Sequence, residues 1–169
     1  MFKITVTAKV QKLLDYYNRV NQNQWLLLGN TSPWNNDTIA PEPSFDIATI
    51  LEPIKFFKVT SYTPVYISSD GDIQLSSVKY QTVNSFNKNT LIDLKVSSLL
   101  ITTIISNTDI GNITYRSAGL CNNLSVSSSN SYITYNSNIT YDLEGVAYFT
   151  PRSTSNTLQS NVFRFVIDF

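Results

Sequence analysis

Apolar residues recur at three- and four-residue steps in one part of this chain only. They are Val6, Val10, Leu13, Leu14, Tyr17 and Val20, with Lys9, Lys12, Asp15 and Arg19 elsewhere around the axis. That period predicts an amphipathic helix whose stripe faces the protein's own core. Thr5 or Thr7 stands where a cap is expected, and the Asn21–Gln24 run "NQNQ" closes the segment with poor helix formers. After Trp25 the pattern changes to short apolar runs and alternation, the pattern of strands and loops. The fold is therefore expected to be mainly β, a single β-sandwich-like domain with an N-terminal α-helix. It divides into an N-terminal strand/helix region at 1–24, a strand with a Pro/Trp loop arm at 25–50, and a β-rich core at 51–169.

"WLLLG" from Trp25 is an apolar run ended by glycine and reads as a buried strand. "IKFFKVT" from Ile54 has the two lysines of a half-exposed one. Asp70-Gly71 predicts a hairpin between Val65–Ile67 and Ile73–Leu75. "LIDLKVSSLLITTIIS" from Leu91 reads as two strands, or one with a bend. The tail "VFRFVIDF" alternates, with Phe163, Phe165, Ile167 and Phe169 on one face, so the last residue is expected to be tied into a sheet. "NNLSVSSSNS", from Asn122 to Ser131, is the most loop-like stretch.

Catalytic chemistry has little to work with. The chain has no histidine and one cysteine, Cys121, so triads with a histidine base, disulfide frameworks and zinc sites of the usual Cys/His kind are excluded. Five glycines form no phosphate-cradling loop and no dinucleotide fingerprint. No catalytic, cofactor-binding or metal-ligating residues are expected. Asp70-Gly71-Asp72 lacks the further ligands of a calcium loop, and Asp142-Leu143-Glu144 reads as a pair of solvated carboxylates. Lys plus Arg equals Asp plus Glu at 12 each, which argues against nucleic acid or an anionic membrane as partner. Charged residues make up only 14%, against the usual ~25%. Weak long-range repulsion between copies favours an assembly component. No long apolar stretch follows Met1-Phe2-Lys3, so neither a signal peptide nor a membrane span is expected, and a lone cysteine fits a reducing cytoplasm.

Both tryptophans lie in "WLLLGNTSPWNNDTIAPEP", residues 25 to 43. Gly29 is read as a sharp turn after the strand. Pro33 fixes the backbone before Trp34, while Pro41 and Pro43 hold the following segment extended and low in entropy. A stiff arm of this kind docks on a neighbour without a large ordering cost.

The order of these elements resembles the small baseplate wedge-type structural proteins of contractile-tailed bacteriophages. The match runs through a short helix, "LLLGNTSPWNNDTIAPEP", the strand "PIKFFKVT", "DGDIQLSSVKYQTV", the Tyr-Arg-x-x-Gly-Leu motif in "ITYRSAGLCNN", and the closing "NVFRFVIDF". Residues Asn122 to Asn138 depart from the pattern. The resemblance implies a non-enzymatic virion part of the tail baseplate, synthesised in the host cytoplasm, with no cofactor. Its implied partners are other tail proteins and symmetry copies of itself. Pro33, Trp34, Pro41, Pro43 and Arg116 are the expected partner-binding residues. Two alternatives stand beside it: a head decoration or neck protein, and a carbohydrate-binding host-recognition module using Trp25, Trp34 and surface tyrosines.

Overall fold

The computed structural model describes residues 3–30, 38–44, 46–154 and 160–169. The elements run α1 (Val6–Val20), β1 (Trp25–Gly29), β2 (Pro53–Lys58), β3 (Ser61–Ile67), β4 (Ile73–Leu75), β5 (Val78–Thr82), α2 (Lys88–Asp93) and β6 (Ser98–Ile105). They continue with α3 (Asn107–Ile110), β7 (Thr114–Asn122), β8 (Tyr132–Thr134), β9 (Asp142–Ser153) and β10 (Asn161–Asp168). The strands form two five-stranded sheets, β8-β2-β1-β7-β9 and β10-β6-β3-β5-β4. Two antiparallel sheets and one long N-terminal helix give the mainly β, β-sandwich-like class that the sequence predicts. The chain divides into two compact units, the first made of Met1–Asn21, Thr60–Thr102 and Phe163–Phe169, the second of Gln22–Val59 and Thr103–Val162.

In the first unit, the Thr5 hydroxyl caps α1 by accepting from Ala8 N at 3.3 Å. Val10, Leu13 and Val20 are buried, as the three- and four-residue period requires. Tyr17 stacks on Phe86 with centroids 3.9 Å apart and meets Tyr62 edge-on. Phe169 N donates to Ser97 O at 2.9 Å and its ring lies 5.5 Å from Tyr16, so the tail strand is tied in.

The structure corrects two expectations. The strands around Asp70-Gly71 do not pair with each other. β5 lies between them, pairing with β3 on one side and β4 on the other. The tight hairpin is instead β4–β5, where Leu75 faces Val78 and Ser76 takes a left-handed φ of 53°. Gly71 is needed for a different reason: a Cβ there would lie 2.5 Å from the carbonyl of Tyr80. The Asp72 carboxylate holds that loop against β5, accepting from Thr82 N at 3.0 Å and from the Thr82 hydroxyl at 2.5 Å. Secondly, the start of "LIDLKVSSLLITTIIS" is helical. Asn87 caps α2 by accepting from Asn89 N and Thr90 N, and β6 begins only at Ser98. The cap outweighs the β-branched composition of the run after it.

In the second unit, β1 is central and all five of its residues are buried. Residues opposite one another share a face of the sheet. Trp25, Leu27, Phe56 and Cys121 lie on one face, clustered with Ile50 and Ile139. Leu26, Leu28, Phe57, Ala118 and Leu120 lie on the other and are equally buried. Burying each of these leucines is worth about 1.5–3 kcal/mol. The run reads as continuous apolar because it is covered on both sides.

Candidate partner-binding surface

The limb from Thr38 to Leu51, described except for residue 45, meets the Trp25 face of the second unit through Ile50. Its anchor is Ile50, which is only 4% exposed. Ile50 sits over two glycines on neighbouring strands. A Cβ on Gly29 would come within 2.3 Å of Ile50 Cγ2, and one on Gly119 within 2.6 Å of Ile50 Cδ1. Close approach thus fixes Gly29, which still pairs with Ser117 as the last residue of β1, and the turn expected after it runs into residues outside the described ones. The backbone N–H of Ile50 donates to the Tyr141 hydroxyl at 3.3 Å, and burial pushes that phenol above its ordinary range.

Of the expected partner-binding residues, Pro33 and Trp34 lie outside the described residues. Pro41 is exposed and Pro43 half-buried. Pro43 lines a hollow of about 370 Å³ together with Ile47 and Leu143–Val146 of β9. Two large apolar side chains of the same limb face solvent, Ile39 at 69% and Leu51 at 60% exposure. Arg116 stands where the β7–β9 register shifts, and its Nη1 donates to Asn30 Oδ1 at 3.1 Å. That bond ties β7 to the residue just past β1. Neither Asn30 nor Ile50 stands out in the sequence. The glycines in strand patterns are the available signal, since a strand glycine often marks a close approach.

The remaining candidates for chemistry are structural in their contacts. Cys121 is fully buried, and burial with the nearby Glu144 carboxylate pushes its thiol far above the ordinary range. Glu144 accepts from the Gln24 amide at 2.9 Å and Asp142 from the Asn123 amide at 2.7 Å, so both carboxylates of "DLE" are held by amides. Trp25 is 6% exposed, with the Lys58 ammonium 5.9 Å above its ring, and offers no open stacking platform. Among the described residues, no three His, Cys, Asp or Glu side chains are grouped to hold a metal ion. No described helix is long and apolar enough to cross a membrane.

The sequence model of the baseplate wedge 3 tail fiber network components matches residues 5–169. The chain belongs to that family. No curated protein matches it. As a baseplate wedge component it is a part of the phage tail, and the sequence resemblance to baseplate wedge-type proteins is borne out. The family match runs through the Asn122–Asn138 stretch as well, where no motif is legible.

Proposed function

We propose that this wedge component is a non-enzymatic building block of the virion tail, held in the baseplate network by its proline limb. Its partners in this reading are other tail proteins and further copies of itself, with neither nucleic acid nor membrane among them. The observation that carries it is the limb itself. Residues 38–51 present exposed Ile39 and Leu51, are stiffened by Pro41 and Pro43, and end on the buried Ile50 wedge. Two exposed apolar side chains on a segment with little entropy left to lose suit a binding arm. The Arg116–Asn30 bond supports its base. The balanced charge, the absence of histidine and the inert Cys121 support the exclusions. We also read the two units as one domain, because the chain passes between them at four points and two of these fall inside β6 and β10.

Tail particles assembled with Ile39→Asp, or with Pro41→Gly and Pro43→Gly together, test this by mass spectrometry of purified virions. The variants should be depleted at least about tenfold relative to the wild type while melting as it does in isolation. Undiminished incorporation overturns the reading.

A further inference from the structure

The Ser/Asn-rich loop after β7 borders two adjoining hollows on the second unit. One, of about 330 Å³, is lined by Gln22, Asn23, Trp25, Lys58, Asn123 and the 124–128 stretch. The other, of about 360 Å³, is lined by the end of the same loop, β8 and residues Asn136 and Ile139. Val126, Ser127 and Ser128 border both. Each is at the small end of the ~300–1,000 Å³ of ligand sites. Their linings contain amides, hydroxyls and one ammonium, with no carboxylate in either. The only large apolar side chain substantially open in them is Val126, at 38% exposure.

The walls are held in place. Ser125 N donates to Thr140 O at 3.0 Å, and Thr140 N returns to the Ser125 hydroxyl at 2.9 Å. At the far end of the loop, Lys58 N donates to Ser131 O at 2.9 Å and the Ser131 hydroxyl to Asp109 Oδ2 at 2.9 Å. Two of the non-glycine residues with left-handed backbone, Gln22 at φ 80° and Asn123 at φ 50°, stand on the rim of the first hollow. Such conformations gather at ligand clamps, where the surroundings over-determine them.

We infer that the two hollows form one trough for an acidic oligosaccharide. Ring hydroxyls exchange hydrogen bonds with the Asn23, Ser127 and Asn130 side chains, which are both donors and acceptors. A carboxylate or phosphate substituent sits at the Lys58 ammonium, the one formal charge in the lining. A protein segment fits less well. Helix docking needs a wide apolar groove, and strand addition needs more ladder than three-residue β8 offers.

The test uses the full chain, with uronate-bearing oligosaccharides and neutral hexose oligomers of matched length as probes. Binding is read by NMR shift perturbation and calorimetry. The acidic probe should bind with shifts confined to residues 22–25, 58 and 123–139, and should weaken as salt rises. Ser127→Tyr, which adds a ring at an exposed position bordering both hollows, and Asn23→Ala should each weaken it at least about tenfold, and Lys58→Gln should remove the preference over the neutral probe. No binding of either probe, binding that survives Ser127→Tyr and Asn23→Ala, a preference for the neutral probe, or a peptide from a random library taking the trough in its place would each overturn the inference. Because isolated protein is used, this outcome is independent of virion incorporation.

Discussion

Ile50 and the two glycines beneath it allow the packing of the second unit to be tested atom by atom. Gly119→Ala places a methyl 2.6 Å from Ile50 Cδ1 and 2.6 Å from Leu143 Cδ1, with the Gly145 carbonyl at 3.1 Å. The first two atoms are ends of flexible side chains, so the cost is overpacking of about 1–3 kcal/mol, reduced by the strand's preference for alanine over glycine. Ile50→Val deletes Cδ1 and alone costs about 0.5–1.5 kcal/mol. Together the two changes should cost about 1 kcal/mol less than their sum, because the cavity made by one receives the methyl of the other. Gly29→Ala is the control. Its nearest obstacle is Ile50 Cγ2 at 2.3 Å, which valine retains, and the Leu51 carbonyl at 2.9 Å is backbone. Coupling between Gly29→Ala and Ile50→Val should therefore be near zero, and Gly29→Ala should be the costlier glycine change. Urea titrations followed by tryptophan fluorescence give both cycles, since Trp25 shares a cluster with Ile50. Equal coupling in the two cycles, or less than about 0.3 kcal/mol in the first, would refute the placement of Cδ1 over Gly119.

Gly111 has φ 71° and ψ −164°, with open space where a Cβ would go. Gly111→Ala should cost about 1–3 kcal/mol from backbone strain alone, and no relief from trimming neighbours should be found by the same titration. Cys121, Tyr115, Tyr141 and Tyr148 are all pushed upward, chiefly by burial. Their contribution is full below the unfolded values, ~8.5 for Cys and ~10 for Tyr, and is lost as pH rises. Tm should thus fall from about pH 8.5 upward, and Cys121→Ala should delay the onset toward the tyrosine range. Asp72 is pushed down, chiefly by the Thr82 hydroxyl, so its contribution is present above its unfolded value of about 3.9 and lost as pH falls through its lower folded one. Asp72→Asn should flatten the Tm profile between pH 5 and 2. If the chain is one domain, fluorescence and far-UV circular dichroism should report coincident urea transitions, and separated ones would show two.

Legibility in the sequence went with dependence on neighbours along the chain. The α1 stripe, the doubly covered β1 and the alternating tail are each set by local periodicity and found in place. The Thr5 cap is among the two positions expected. Failures came where a distant partner decides. Asp70-Gly71 has the composition of a hairpin, yet the 2.5 Å approach to Tyr80 belongs to a strand that arrives later and inserts between its flanks. The β-branched run from Leu91 hid a helix because one amide, Asn87, satisfies two backbone donors. At the candidate site, the arm's prolines are visible as stiffness. Its anchor is not, since Ile50 has no sequence context that reveals the glycines at positions 29 and 119.

The first unit joins α1 to the chain's last strand, with Tyr16 and Phe169 in ring contact. That unit's sheet is closed by β10, far along the chain from α1 and from the strands between Ser61 and Ile105. Contacts of such high sequence separation close slowly and keep apolar surface open meanwhile. A chain cut before Phe163 therefore lacks the fifth strand of that sheet and leaves the β6 edge unpaired. An open strand edge is a template for pairing with another chain, so β10 shields the β6 edge of the first unit from edge-to-edge association.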